Sequence, residues 1–334
     1  MTARPAIRAV RVTAPARLHL GFLDLAGDLG RRFGSLGLAV DRPRTRLTLE
    51  PAARLSVEGP EAERAERVLR KAAELLAIRP AVRLAVEEAI PAHMGFGSGT
   101  QLALAVGAAL SRLHGRGADA EALAVRLGRG ARSAIGVAAF RAGGFLVDGG
   151  RGAKTRLAPV VARLPFPEDW RVLLILDRGH RGLHGEAETS AFRDAPPFGA
   201  ALAGELCRLT LMQALPGLAE RDLARFGGAV SEIQRRLGDY FAAAQGGRFT
   251  SPKVARILAG LEAEGITGLG QTSWGPTGFA LLESEADAEQ LRAALAARHR
   301  GDPALDFEIS RGRNKGAEIE AHGIPASAGE ARPS

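Results

Sequence analysis

Between residues 91 and 100 the chain reads Pro91-Ala92-His93-Met94-Gly95-Phe96-Gly97-Ser98-Gly99-Thr100. Glycines at alternate positions let a backbone come close to a ligand. A loop of this kind that opens a helix offers free amides and the positive end of the helix dipole, which suit phosphate. A tight strand–helix turn without a ligand would carry the same glycines. No lysine follows them, so the loop is not a Walker P-loop. The third glycine is misplaced for a dinucleotide fingerprint. Phe96 stands two residues before Ser98, where a hydrolase elbow needs glycine. The expected chemistry is the holding of a phosphorylated anion on Gly95, Phe96, Gly97, Ser98, Gly99 and Thr100, with His93 inside the loop.

A strand must precede this loop and a helix must follow it. Ala81–Glu87 alternates and reads as the strand. Leu102, Val106, Leu110 and Leu113 recur at helical spacing, so Thr100–Leu113 reads as the helix. Ile7–Thr13 and Leu18–Leu23 read as two strands joined near Ala14-Pro15-Ala16. Ser35–Asp41 and Arg46–Glu50 read as two more, with Asp41-Arg42-Pro43 as the turn. Ala62–Ala77, Ala120–Leu127 and Ser133–Phe140 read as helices, and Gly143–Val147 as a strand. A domain boundary is expected near Pro165–Pro167. Beyond it, Val172–Leu176 is an apolar strand, helices are expected at 199–213, 218–236 and 252–264, and Gly278–Leu282 is a strand. Asp287–Ala297 reads as a helix and Leu305–Ile309 as a strand. From Arg313 to Ser334 the chain is rich in Gly, Ala, Pro and Ser and reads as a disordered tail. The expected fold class is α+β in two domains, residues 1–165 and 166–312, without a repeat of fixed period.

Composition narrows the function classes. The single cysteine, Cys207, excludes an intrachain disulfide and a cysteine-rich zinc site. No apolar run has the length a membrane helix needs, and Met1–Val12 lacks the apolar core of a signal peptide. The cytoplasm is the expected address. The net charge is +8, and only Lys71, Lys154, Lys253 and Lys315 are lysines, so 45 − 4 = 41 basic residues are arginines. The arginine fork suits phosphate and carboxylate. Nucleic acid is the weaker reading, because aromatic residues are only 5% of the chain and stacking platforms are not evident.

The pattern Pro-x-x-x-Gly-Phe-Gly-Ser-Gly-Thr resembles the phosphate loop of the GHMP kinase superfamily. Ala14-Pro15-Ala16-Arg17-Leu18-His19-Leu20-Gly21 resembles that superfamily's first motif. Gly270-Gln271-Thr272-Ser273-Trp274-Gly275-Pro276-Thr277-Gly278-Phe279 resembles its third. The resemblance implies an N-terminal domain like ribosomal protein S5 domain 2, a ferredoxin-like C-terminal domain, and a site between them. Many of these kinases carry Ser-Gly-x-Asp in mid-chain, where the Asp deprotonates a substrate hydroxyl. Here the stretch is Ser133-Ala134-Ile135-Gly136, and glycine cannot take a proton. The first motif has Arg17 where many kinases carry lysine.

One branch without that base, the β-ribofuranosylaminobenzene 5′-phosphate synthases, is similar at more positions. These are Arg17–Leu25, Gly34–Ala39, Arg132-Ser133 with Ile135-Gly136, Gly143-Gly144-Phe145 with Asp148-Gly149-Gly150, and Gln271–Thr277. That resemblance implies condensation of phosphoribosyl pyrophosphate with 4-aminobenzoate, with loss of carbon dioxide and pyrophosphate, in tetrahydromethanopterin synthesis. The implied reaction needs charge stabilisation for a leaving pyrophosphate, a carboxylate near a cationic sugar, and a cation for the benzoate. The loop meets the first need, with Arg31 or Arg32 helping. Asp24 meets the second, or holds Mg²⁺ on the pyrophosphate; a strand-end acid capping a turn would look the same. Arg132 beside Ser133 is placed to meet a phosphate or the benzoate. Arg17, His19, His93, Ser133, Gln271, Ser273, Trp274 and Gly275 complete the substrate-binding set, with Trp274 able to stack on the aromatic acid.

Mg²⁺ is expected with the pyrophosphate, no organic cofactor is expected, and the protein's own metal ligands stay unassigned. His180 and His184 are four apart, but Gly179 and Gly182 argue against a helix presenting both to a metal. Glu186 and Glu188 follow in a polar loop that could close over the site. The expected partners are the two small substrates, with neither nucleic acid nor membrane, and the expected assembly is a homodimer. Two rivals remain: an ATP-dependent small-molecule kinase using Asp148 or Asp24 as base, and a non-catalytic binding protein for RNA or a metabolite, which the basic charge favours.

Overall fold

A computed structural model describes residues 7–183 and 185–323. The first part of the chain runs β1 (Ile7–Asp24), β2 (Phe33–Pro51), β3 (Ser56–Glu58), α1 (Ala62–Leu75), β4 (Val82–Glu88), α2 (Ser98–Leu113), α3 (Ala120–Arg126), α4 (Ile135–Arg141), β5 (Phe145–Asp148) and β6 (Val160–Leu164). The second part begins with β7 (Arg171–Asp177), α5 (Gly185–Arg193), α6 (Ala200–Leu209), a π-helical turn (Thr210–Ala214), α7 (Leu215–Ala219), α8 (Leu223–Tyr240) and α9 (Ala242–Gln245). It ends with α10 (Pro252–Ala263), β8 (Gly270–Gln271), β9 (Thr277–Leu282), α11 (Glu285–Arg298), β10 (Leu305–Arg311) and β11 (Glu318–Gly323). The fold is α+β in two domains.

Two sheets organise it. One has the order β11-β1-β2-β4-β3, with β5 paired to β2 and β6 to β5; the other is β10-β7-β9-β8. The chain passes from the first sheet to the second between Leu164 and Arg171. In α1, Ala65, Leu69, Ala72 and Ala73 form one buried stripe, the spacing that seats an amphipathic helix on a sheet. Together with α2 and α3 it closes a core over β1, β2 and β4. In β7 alternate residues serve different cores. Leu173 and Ile175 pack with α10 and α11. Val172, Leu174 and Leu176 join a cluster that includes Leu18, Leu20, Phe96, Phe145, Phe226 and Trp274. That cluster draws side chains from both sheets, so the seam between domains is itself apolar core and holds the loops along it in fixed relation.

Several elements differ from their sequence expectation. β1 is one strand of 18 residues rather than two. Pro15 is tolerated because the register slips at Pro15/Ala16, where three residues of β2 bulge out: Pro15 faces Arg44 and Ala16 faces Val40. The expected turn Asp41-Arg42-Pro43 is that bulge. Asp41 there accepts hydrogen bonds from Ser310 Oγ and the Arg311 amide, both at 2.9 Å. The polar stretch holding Glu186 and Glu188 is the helix α5, not a loop. The tail expected from Arg313 is structured to Gly323: β11 pairs antiparallel with β1, Ile319 opposite Val12. Its Glu-Ile-Glu-Ala alternation suffices once β1 offers an open edge. Residues 324–334, like His184, lie outside the described residues.

Candidate active site

The loop after β4 ends in α2, whose N-cap is Gly97 at φ +76°. Gly95 is also left-handed, at φ +88°. A Cβ on Gly95 would lie 2.1 Å from the Thr272 carbonyl oxygen, and one on Gly275 would lie 2.4 Å from the Gly95 nitrogen. Only glycine allows these two loops to touch. Thr272 Oγ1 links three motifs, accepting from the His19 amide and donating to the Gly95 carbonyl, both at 3.0 Å. The Ser273 amide bonds the His19 carbonyl at 3.1 Å. β1, the glycine loop and the 270–278 segment therefore meet at the domain seam.

Arg17 lies beneath the loop. Its amide donates to the Phe96 carbonyl at 3.3 Å and its guanidinium to the Gly95 carbonyl. A Cβ at Gly97 would meet Arg17 Cζ at 3.0 Å. Burial lowers its pKa to about 10, partly opposed by the Glu188 charge, so it stays cationic at neutral pH. Two arginines that sequence reasoning missed flank the same loop. A Cβ at Gly99 would lie 2.9 Å from Arg64 Nη2 and 3.4 Å from Arg129 Nη1. Arg64 also donates to Ser98 Oγ at 3.2 Å. Arg129 Nε is buried without a hydrogen-bond partner, and burial, then repulsion from Arg64, lowers that arginine's pKa. With Arg67, Lys71, Arg181 and His93 they line one open cleft. Nothing local marks Arg64 or Arg129 among 41 arginines. Gly97→Val is expected to weaken binding of a phosphorylated substrate tenfold or more, because the added branch strains a left-handed residue and displaces Arg17. Calorimetric titration of the folded variant checks this; unchanged affinity would remove the loop from the site.

His19 is two residues from Arg17, on the same face of β1. It is only 5% exposed, and its Nε2 has no hydrogen-bond partner. Burial, then the Arg17 charge, lowers its pKa to about 3. Below pH 6.5 the unfolded chain binds a proton that folded His19 refuses, so acidification toward pH 3 favours unfolding through this residue. Its ring packs on Phe22 at 4.6 Å between centroids. Trp274 packs edge-on against Phe241 and Phe192. The Gln271 side chain binds the Ser273 carbonyl at 2.9 Å and the Thr250 amide at 2.7 Å, which fixes the third motif's curve.

The remaining candidates gather around the far end of β1. Asp24 caps the turn there: both its hydrogen bonds, to the Ala26 and Gly27 amides at 2.8 and 3.0 Å, fall on Oδ1. Arg31 and Arg32, expected to assist the glycine loop, direct their guanidinium groups elsewhere. Arg31 binds the Gly149 and Gly150 carbonyls at 2.7 and 2.6 Å, and Arg32 the Leu25 carbonyl at 2.8 Å. Both arginines follow the chain reversal after Asp24, which carries them to the 148–151 segment. Ser133 donates to Asp148 at 3.2 Å. Arg132 is ion-paired with Glu188 of α5 and stands over the Phe192 ring at 4.9 Å. Because Glu188 also acts on Arg17, α5 joins the two ends.

Gly136 faces the loop: a Cβ there would lie 3.3 Å from Thr100 Cγ2. Asp148, one rival base, is fully buried and accepts from Ser133 Oγ and the Ala134 and Gly150 amides. It holds the segment just before α4, and burial raises its pKa. Among the described residues no group of three or more His, Cys, Asp or Glu could hold a metal, and no helix is long and apolar enough to cross a membrane.

Comparison with known proteins agrees with this geometry. Family models described as the GHMP kinases N terminal domain and GHMP kinases C terminal match residues 62–144 and 214–301. Solved structures of a homoserine kinase from Cytophaga hutchinsonii and a mevalonate diphosphate decarboxylase from Staphylococcus aureus share the fold. Their TM-scores are 0.63 and 0.61, at 17% and 16% identity, covering 96% and 94% of this chain and 100% and 98% of theirs. The chain is 33% identical over 329 residues to the beta-ribofuranosylphenol 5′-phosphate synthase of Archaeoglobus fulgidus, covering 93% of this chain and 99% of that protein. It is 31% identical over 298 residues to the same-named enzyme of Methanothermobacter thermautotrophicus, covering 82% and 89%. The chain is an enzyme on the GHMP kinase fold and belongs to the beta-ribofuranosylphenol 5′-phosphate synthase family.

Proposed function

We propose that the protein condenses phosphoribosyl pyrophosphate with 4-aminobenzoate, giving 4-(β-D-ribofuranosyl)aminobenzene 5′-phosphate, carbon dioxide and pyrophosphate, in tetrahydromethanopterin biosynthesis. The observation that carries this reading is a glycine loop walled by Arg17, Arg64 and Arg129 that faces Gly136 instead of a base. The loop and its arginines take the pyrophosphate, whose charge grows as it leaves. It departs with the electron pair of its bond to ribose C1. The ring carbon bearing the carboxylate supplies the pair for the new carbon–carbon bond, pushed by the para amino group. Loss of carbon dioxide returns the pair of the carboxylate bond to the ring and restores aromaticity. No hydroxyl is deprotonated, so glycine at 136 suits the route.

Asp24 serves the sugar cation and Arg132 a phosphate, and Mg²⁺ travels with the pyrophosphate, held mainly by its oxygens and water. The relatives' name carries a phenol where this product carries an aniline. A para hydroxyl pushes electrons to the same carbon, so 4-hydroxybenzoate is the acceptor to compare. The test supplies phosphoribosyl pyrophosphate with each acid. Pyrophosphate and carbon dioxide are expected in equal amounts, only when both substrates are present. Steady ATP-dependent phosphorylation of a small alcohol, with no carbon dioxide, would replace this reading by a kinase.

A further inference from the structure

At His19, two residues along β1 from Arg17, lies a cavity of about 50 Å³, walled by Phe22, Phe241 and Trp274 and edged by Gln245 and Gln271. The amide and guanidinium side chains along its polar edge are closed on one another, and the Ser273 residue borders it beside them. Gln271 donates to Gln245 Oε1 at 3.1 Å and to the Ser273 carbonyl, and accepts from the Thr250 amide. Gln245 donates to the Arg248 carbonyl at 2.7 Å. The Arg248 guanidinium, also at this cavity, is held by Asp239 at 2.7 Å. His19 Nε2 alone among these groups is buried and unpartnered, which costs stability unless a ligand satisfies it.

We propose that this cavity seats the para end of the benzoate acceptor, with the lone pair of His19 Nε2 accepting the hydrogen of the para hydroxyl or amino group. The inference rests on the reaction proposed above and deepens it by naming the acceptor's subsite. A neutral imidazole carries one proton, and with that proton on Nδ1 the buried Nε2 is the acceptor. The ring stays neutral through the physiological range, since burial and Arg17 oppose its protonation. Aromatic walls suit a benzene ring. The void is too small for the whole acid and takes the substituted edge. Arg17 and His19 are two residues apart, about 7 Å along the strand. The opposite end of the ring, with the reacting carbon and its carboxylate, then faces the glycine loop. As that carbon bonds to ribose C1, positive charge grows on the para nitrogen or oxygen. Its hydrogen bond to Nε2 tightens, so the contact favours the transition state over the ground state.

The test compares ligands before variants. Trp274 is one of two tryptophans, so a Trp170→Phe protein reports on the cavity through Trp274 fluorescence alone. Affinities are measured for 4-hydroxybenzoate, 4-aminobenzoate and 4-methylbenzoate, the last having the same shape without the donor. The methyl acid is expected to bind at least tenfold more weakly. His19→Phe keeps the packing on Phe22 and should erase that preference; His19→Gln returns an acceptor oxygen and should restore part of it. Equal affinities in the parent protein, or a preference undiminished in His19→Phe, would overturn the inference, and the ligand comparison stands even if a variant fails to fold. Product formation by the parent protein is scored separately. Turnover without the preference sinks only the subsite, whereas the preference without carbon–carbon bond formation sinks the proposed reaction.

Discussion

Arg17→Met is expected to lower kcat/KM for phosphoribosyl pyrophosphate on the order of 10³-fold, near the upper end of what loss of one charge-stabilising donor does. Arg17 is the guanidinium closest to Gly97, and burial intensifies its charge by excluding water. The fold should survive, because the Gly95 carbonyl that Arg17 binds also accepts from Thr272 Oγ1 at 3.0 Å. Methionine fills the volume of the arginine stem. Arg17→Lys keeps the charge but loses the planar fork and should recover only part of the rate. Initial rates beside thermal melts check both. A kcat/KM within threefold of the parent for a folded Arg17→Met protein would place the leaving group elsewhere.

Asp24→Asn separates a charge from a cap. Both hydrogen bonds fall on Oδ1, and asparagine presents the same oxygen and suits the same turn. Stability should therefore change little. If the carboxylate faces the developing sugar cation, kcat should fall on the order of 10²-fold with a smaller effect on KM. Stopped assays at saturating substrate decide: a near-normal kcat makes Asp24 scaffold and leaves the cation's partner to be found on α5 or β5.

Local elements were legible because local forces make them. The α2 stripe and the glycine loop depend on spacing within one turn or one strand, and the structure begins α2 at Ser98, two residues before the expected Thr100. Misreadings arose where a distant segment overruled a local signal. Pro15 reads as a break until β2 bulges opposite it. Residues 318–323 read as tail until β1 lends its edge. The acids at 186 and 188 read as loop, yet they lie in the first turn of α5. Arg31 and Arg32 follow Asp24 within one turn of chain, but Arg31 closes on the Gly149 and Gly150 carbonyls and Arg32 on that of Leu25.

By itself the sequence determined that a glycine loop without a P-loop lysine opens a helix, that position 136 offers no base, and that three motifs run in the order of one superfamily. Those are properties of residue type and short spacing, which survive in any fold that keeps the loop. Tertiary structure alone decided which of 41 arginines meet that loop. It also turned His19 from a histidine on a strand into a neutral, buried ring with an unpartnered nitrogen at a cavity. The physical reason is that field and burial depend on what packs from elsewhere in the chain. Arg64 comes from α1, Arg129 from beyond α3, and the walls around His19 from β1, α8 and the third motif, so no window of sequence contains them.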